Sequence, residues 1–203
     1  MISRKIIIFL RGGPAVGKSS VAEELSKKLP YSAKIEQDIL RYMVTGGLVA
    51  SKKGLHPSAA PDEYTRQCHL GDKNSLALAK NFAESGFLPI IAGFNGGESA
   101  ETFYLLKHPD KVRWYPDKEF LMQELPGFIF FQVVLDTSPL ILSERLKARG
   151  FEENTIRFIL NQRELFLNAV SQTHVDILID TSQRDPTWVA EKVINELNLA
   201  KYF

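Results

Sequence analysis

The sequence has little cysteine, little net charge and no long apolar run, and each shortage narrows the class of protein. The single cysteine, Cys68, excludes an internal disulfide framework and a cysteine-rich zinc site. The 25 lysine and arginine residues nearly balance the 24 aspartate and glutamate residues, so no whole-molecule field draws the chain to nucleic acid or to an acidic membrane. No apolar stretch approaches the roughly 18–20 residues of a membrane-spanning helix. These features favour a soluble protein, and we expect a cytoplasmic location without an export signal.

The order of patterns along the chain predicts an α/β fold. Short runs rich in β-branched and aromatic residues predict strands at 5–10, 33–36, 88–92, 128–135 and 176–179. Helical patterns lie between and after them, at 18–29, 38–44, 62–84, 138–149, 154–170 and 186–197. Strands that are apolar on both faces are typical of a covered parallel sheet. We expect residues 1–203 to form a single domain, a three-layer, doubly wound, mainly parallel five-stranded sheet with ligands beyond the carboxyl ends of its strands.

The most specific motif follows the first predicted strand and runs directly into a helical pattern. It fits Gly-x4-Gly-Lys-Ser/Thr without a mismatch and consists of Gly12, Gly13, Pro14, Ala15, Val16, Gly17, Lys18 and Ser19. Glycines allow the backbone to wrap a phosphate with its N–H groups turned inward, and the helix N-terminus adds partial positive charge. The motif predicts a phosphate-binding loop.

Within this loop, Lys18 is placed to bridge the β- and γ-phosphates, and the Ser19 hydroxyl to bind the Mg²⁺ that accompanies a nucleotide. Ser20 is a weaker candidate contact. The guanine-reading motif Asn/Thr-Lys-x-Asp is absent, so we expect ATP as the nucleotide. The predicted third strand ends without a carboxylate at 90–94, which argues against motor-type ATPases that bind the metal through an acid at this position.

A carboxylate and an arginine follow the second predicted strand. Asp38 is positioned to accept the proton of an acceptor hydroxyl, and Arg41, one helical turn later, to pair with an anionic group on that acceptor. In the structural alternative, Asp38 only caps the next helix and Arg41 is a solvated charge. Because this pair follows a phosphate-loop motif in the chain, we favour the catalytic interpretation.

Arginines also cluster in the predicted helices of 138–170, which we expect to form a lid. Arg145 and Arg149 are spaced to lie on one helix face, where two guanidiniums suit a phosphoryl group in transfer. An ordinary amphipathic surface helix is the alternative. Arg157 and Arg163, on the next helix, are weaker candidates. The polar loop after the last strand, which includes Gln183, is a candidate nucleobase contact or simply a turn.

Taken in order, these motifs resemble those of the small P-loop kinases, and most closely the group of chloramphenicol phosphotransferase, zeta toxin and polynucleotide 5′-kinase. The resemblance implies a P-loop NTPase fold of the nucleoside-monophosphate-kinase-like kind with a helical lid. It also implies Asp38 as the base toward the acceptor hydroxyl, Arg41 as an acceptor contact, and Arg145 and Arg149 as contacts of the transferring phosphates. The stretch 94–127, which includes Asn95 and Glu98, is longer than the usual link, and we expect this insertion near the acceptor site.

The expected function is therefore transfer of the γ-phosphoryl group of MgATP to a hydroxyl of a small molecule. A 5′-hydroxyl polynucleotide kinase is the alternative, although the near-neutral charge argues against a nucleic-acid partner. A further alternative is a regulatory module that binds ATP without transferring phosphate. The sequence indicates no membrane partner and does not identify the acceptor or the oligomeric state.

Overall fold

The computed structural model describes residues 5–49, 61–93, 118–170 and 175–203. Most of the two long stretches that interrupt the βα pattern, at 46–61 and 94–127, lies outside these ranges. Asn95 and Glu98 belong to the part that is not described.

The described strands form one five-stranded sheet in the order β2-β3-β1-β4-β5, and every neighbouring pair runs parallel. The strands are β1 Ile6–Arg11, β2 Ser32–Glu36, β3 Leu88–Ala92, β4 Ile129–Asp136 and β5 Ile177–Asp180. The predicted doubly wound α/β fold is confirmed, and the sheet is entirely rather than mainly parallel. Each strand lies within about two residues of its predicted position. The central strands β1 and β3 are buried throughout, as runs apolar on both faces predict, whereas the edge strands β2 and β5 are partly exposed.

Helices cover both faces of the sheet. In the described residues they are α1 Lys18–Lys28, α2 Gln37–Tyr42, α3 Pro61–Glu84, α4 Lys118–Glu124, α5 Pro139–Ala148, α6 Glu153–Val170 and α7 Pro186–Glu196. A short 3₁₀ helix, Leu199–Tyr202, ends the chain. Neither α4 nor the 3₁₀ helix was predicted from the sequence. Both are short, and short helices give little periodicity to detect.

The central strand β1 contributes to a core on each side of the sheet. Ile6, Ile8 and Leu10 pack in the cluster that α1 and α7 cover, whereas Ile7 and Phe9 pack in the cluster under α3 and α4. All six residues of β1 are buried. Burial of a large aliphatic or aromatic side chain contributes roughly 1.5–3 kcal/mol. This strand therefore fixes the loop that follows it on a rigid base.

Helices α5 and α6 pack against each other and against the loop after β1. Leu142 and Leu146 of α5 meet Ile156 and Ile159 of α6 in a small cluster that also contains Ala15. Ser138 caps α5 by accepting a hydrogen bond from the Ile141 N–H, and Pro139 follows at the first turn. The helix pair predicted as a lid therefore lies over the phosphate-loop motif.

Within the described ranges, the structure has no helix long and apolar enough to span a bilayer.

Candidate active site

The loop between β1 and α1 adopts a conformation that depends on glycine at its first position. Gly12 has a φ of +137°, and a Cβ atom there would lie 2.2 Å from the Leu135 carbonyl oxygen and 2.9 Å from a Val16 methyl carbon. Ala15 and Gly17 also have positive φ, at 61° and 102°. Gly12 is thus required by close backbone approach, and Gly17 by its φ. The chain turns tightly from the strand into α1, as a phosphate-binding loop requires.

Lys18 folds over this loop. Its Nζ donates hydrogen bonds to the carbonyl oxygens of Gly12 at 2.9 Å and Gly13 at 2.7 Å. Burial lowers the pKa of Lys18 from 10.5 to about 8, the negative charge of Asp38 opposes this effect, and the positive charge of Arg149 adds to it. A half-buried ammonium held by two neutral carbonyls is poised to bind an anion, since phosphate oxygens would supply further negative charge.

Ser19, the predicted Mg²⁺ contact, faces a carboxylate. The Ser19 hydroxyl donates to Glu36 Oε2 at 3.2 Å, and Glu36 is the last residue of β2. Hydroxyl and carboxylate oxygens are ligands that Mg²⁺ accepts in proteins together with phosphate oxygens and water. The residues at this position therefore fit the metal that accompanies a nucleotide in this fold. Sequence reasoning missed Glu36, although its position at the carboxyl end of a strand was a usable signal.

Asp38 lies in the first turn of α2, close to Lys18. Its side chain is exposed, and its charge is the largest opposing influence on the Lys18 pKa. Gly93 separates the two elements, because a Cβ at Gly93 would lie 3.8 Å from Gln37 Cβ and 4.0 Å from Lys18 Cε. The carboxylate predicted as a base thus stands beside the phosphate loop and open to an incoming molecule.

Arg41 is not the solvated surface charge of the structural alternative. The residue is only 3% exposed, and its guanidinium carbon lies 4.8 Å and 5.1 Å from the ring centroids of Tyr42 and Tyr64. One Nη donates to the Val49 carbonyl oxygen at 3.2 Å. Arg41 is thus enclosed by aromatic rings and backbone at the junction of α2 and α3, where cation–π contacts hold the charge. Its role toward an acceptor stays a prediction.

Arg145 braces the phosphate loop against the loop after β5. Its guanidinium donates to the Thr181 carbonyl oxygen at 2.8 Å, to Thr181 Oγ1 at 3.2 Å and to the Ala15 carbonyl oxygen at 3.4 Å. Thr181 is buried, and its hydroxyl lies 3.0 Å from the Val16 carbonyl oxygen. These bonds join three segments that border one cavity.

Arg149 is exposed at the C-terminal end of α5, and its charge reaches Lys18. Both lid arginines line a cavity of about 240 Å³ together with the start of α1 and the loop after β5. Of the residues predicted from the sequence, the cavity lining includes Ala15, Val16, Gly17, Ser20, Arg145 and Arg149. The structure thus brings the loop and the two arginines together as the i,i+4 spacing suggested.

The far wall of this cavity comes largely from the polar loop after β5, which the sequence predicted as a nucleobase contact or simply a turn. Gln183 was the predicted contact, but it is exposed and does not line the cavity. The wall contains Thr181, Arg184 and Pro186 instead. The Arg184 guanidinium stacks on the Trp188 ring at 4.3 Å from its centroid. The stacked guanidinium gives this wall a flat, positively charged surface.

Three other residues considered in the sequence, Arg157, Arg163 and Cys68, do not line this cavity. Arg163 is held by the Asp136 carboxylate, and Arg157 is exposed on α6. Cys68 is buried, and burial raises the pKa of its thiol to about 11, which agrees with a packing role rather than a nucleophilic one.

Fold and site together define the class of protein: a P-loop nucleotide-binding protein with a parallel sheet and a helical lid. The sequence profile of the AAA domain family AAA_18 matches residues 8–168, well over half of the chain, and the protein belongs to that family. A search of curated protein sequences gives no match.

Solved structures of the same fold extend over almost the whole chain. A protein of Chloroflexus aurantiacus superposes with a TM-score of 0.60 at 16% identity and covers 98% of both chains. Thymidylate kinase of Candida albicans gives 0.59 at 16% identity, covering 97% of this chain and 92% of that one. The tunicamycin resistance protein of Deinococcus radiodurans gives 0.51 at 17% identity and covers 95% of both. At these identities the likeness supports the fold.

Proposed function

We propose that the protein is an ATP-dependent phosphotransferase that moves the γ-phosphoryl group of MgATP to a hydroxyl of a small molecule. The observation that carries the proposal is the placement of Asp38 beside Lys18. A carboxylate open to solvent lies close enough to the lysine of a phosphate-binding loop for its charge to act on that lysine. A protein that only bound ATP would have no chemical use for this base.

Each of the site residues has a separate proposed role in the transfer step. The acceptor oxygen attacks the γ-phosphorus, the bond to the β–γ bridging oxygen breaks, and the acceptor proton passes to the Asp38 carboxylate. Lys18 and Arg149 neutralise charge on the transferring group from two sides. Mg²⁺, when bound, would add charge neutralisation on the phosphate oxygens, and Ser19 is the residue of the loop that would hold it.

The surface beside Asp38 is more apolar than a nucleic-acid site would require. Ile39 and Tyr42 on α2 and Met43 just after it are 57%, 49% and 69% exposed, which is unusual for large apolar side chains so close together. An acceptor with an apolar or aromatic body next to its hydroxyl would cover this strip. The name of the tunicamycin resistance protein, a structural neighbour, is consistent with a drug-like small molecule as acceptor.

A polynucleotide acceptor is less well supported. Strand binding usually needs a stripe of unpaired cations, because each contacted phosphate requires one. On the side of α1 and β2, Lys27, Lys28 and Lys34 each form an ion pair with a glutamate, at 2.8, 2.7 and 2.8 Å. These pairs leave little net positive field there for a nucleic-acid backbone.

The test is transfer of label from γ-labelled ATP in Mg²⁺ to a panel of metabolite fractions, antibiotics, nucleotide sugars and 5′-hydroxyl oligonucleotides. Asp38→Asn protein is assayed alongside the native chain. A labelled small-molecule product that depends on Asp38 supports the proposal and identifies the acceptor class. Label on the oligonucleotide, with strong salt dependence, establishes the alternative acceptor. Tight ATP binding without any labelled product points to a regulatory module.

A further inference from the structure

The end of β3 lacks the acid that many P-loop proteins place next to the nucleotide metal. In the described part of this strand the last residues are Ile91 and Ala92, and Gly93 follows. Because β3 pairs directly with β1, this position lies beside the phosphate loop. Within the described residues, a carboxylate for the metal that the fold implies therefore has to come from another element.

The neighbouring strand β2 presents one at the same level of the sheet. Glu36 is the register partner of Ala92, and Ala92 is in turn the partner of Leu10 in β1. The small side chain of Ala92 and the absence of one at Gly93 leave room above β3. The Glu36 carboxylate crosses this gap and accepts a hydrogen bond from the Ser19 hydroxyl at 3.2 Å.

We propose that Glu36, from the neighbouring strand, is the acid that binds the water shell of the nucleotide-associated Mg²⁺ and orients the Ser19 hydroxyl toward that ion. This inference rests on the proposed binding of MgATP at the loop. A hydroxyl that donates its proton to a carboxylate keeps its oxygen lone pairs available for a cation. The carboxylate also adds negative charge close to the ion, and outer-shell carboxylates of this kind strengthen metal binding.

The surroundings of Glu36 agree with this role. Its side chain is 24% exposed, so water and a divalent ion can reach it. Its other oxygen, Oε1, pairs with Lys34 Nζ at 3.0 Å, which leaves Oε2 directed at Ser19. Lys34 has a second partner, since its Nζ lies 2.8 Å from Glu23 Oε2. Lys34 therefore fixes the carboxylate from the side opposite the loop.

This arrangement supplies a matched control. Glu36→Gln removes the charge that faces Ser19 and weakens the contact to Lys34. Glu23→Gln weakens the second contact of Lys34 and a longer one to Lys27 at 4.0 Å, and it leaves the Ser19 side of Glu36 intact. A difference between these variants thus isolates the contribution of the Ser19 side of Glu36. Glu36→Asp keeps the charge on a shorter side chain and serves as the variant to use if Glu36→Gln does not fold.

The measurement is binding of Mn²⁺ to the full chain saturated with ATP, followed by loss of the free-ion signal in electron paramagnetic resonance. ATP affinity in EDTA is measured separately by calorimetry. Glu36→Gln should raise the Mn²⁺ dissociation constant about tenfold or more and leave the EDTA affinity for ATP nearly unchanged. Glu23→Gln should match the native protein in both.

Equal Mn²⁺ affinity in the native and Glu36→Gln proteins would overturn the inference. So would an equal loss of ATP affinity with and without metal, because that pattern marks a structural contact only. If the native chain binds ATP and Mn²⁺ as expected but labels no acceptor, the proposed transfer fails while the metal role of Glu36 stands. If the native chain does not bind ATP, both proposals fail.

Discussion

Arg163 and Asp136 are joined by two hydrogen bonds, from Nε to Oδ1 at 2.8 Å and from Nη2 to Oδ2 at 2.6 Å. Both side chains are 16% exposed, and Arg163 Nε also lies 2.8 Å from the Thr137 carbonyl oxygen. The pair connects α6 to the carboxyl end of β4. Arg163 therefore anchors the lid to the sheet and is not free to follow a phosphate during transfer.

Replacing Arg163 with Met should destabilise the protein by about 2–3 kcal/mol, because Asp136 is left largely buried without its partner. Urea unfolding checks the free energy, and Arg157→Met on the exposed side of the same helix should change it by less than about 0.5 kcal/mol. Asp136→Asn combined with Arg163→Met should cost less than the sum of the single changes. Additive effects would show that the pair does not couple the lid to the sheet.

The backbone of the phosphate loop gives a second prediction. Gly12→Ala should abolish ATP binding and strongly destabilise the fold, because the new Cβ would lie 2.2 Å from the Leu135 carbonyl oxygen at a φ of +137°. Gly13→Ala is the matched control, since a Cβ there has no heavy atom of another residue within 4 Å. Thermal unfolding and ATP titration of both variants test the difference. Equal behaviour of the two variants would contradict the required role of Gly12.

An element of the structure could be predicted from the sequence when its pattern of apolar and polar residues extended over many positions. The strands and long helices follow patterns of many residues, whereas α4 has only 7 residues, with Leu121 in the helix and Leu125 just after it reaching the core. Site residues carried by the loop motif were predicted with it. Glu36 was missed, and Gln183 rather than Arg184 was selected from the loop after β5, because such contacts depend on which strands and turns become neighbours, and no local pattern records that.

The two lid arginines should differ in their effects. Arg145 holds backbone carbonyls of two loops, so Arg145→Ala should lower both stability and ATP affinity. Arg149 is exposed and electrostatically linked to Lys18, so Arg149→Ala should mainly lower the rate of transfer, by roughly 10²-fold or more.

Lys147→Ala is the control for lost positive charge on α5. Lys147 is exposed on the same helix and pairs with Glu153 at 3.5 Å. Rates under saturating ATP and dissociation constants for ATP separate the three variants. If Arg149→Ala behaves like Lys147→Ala, the proposed contact between Arg149 and the transferring phosphate is wrong.

Lys18 makes the stability of the nucleotide-free protein depend on pH. Its pKa is about 8 in the folded protein, whereas the ordinary value is 10.5. Between these values the unfolded chain holds the proton more firmly, so stability rises with pH in this window. Below it, keeping the buried ammonium charged costs up to about 3 kcal/mol. Lys18→Met removes this cost, and with it the rise.

The measurement is the difference in unfolding free energy between Lys18→Met and the native chain from about pH 7 to about pH 10, without nucleotide. Other groups that titrate in this range, including the Cys68 thiol with its raised pKa, occur in both proteins and cancel in the difference. The variant should lose its relative advantage as the pH rises, because the native protein gains stability once Lys18 is neutral. If the difference does not change with pH, the folded protein does not lower the pKa of Lys18. The argument that the charged Lys18 side chain is destabilised until it binds phosphate would then fail.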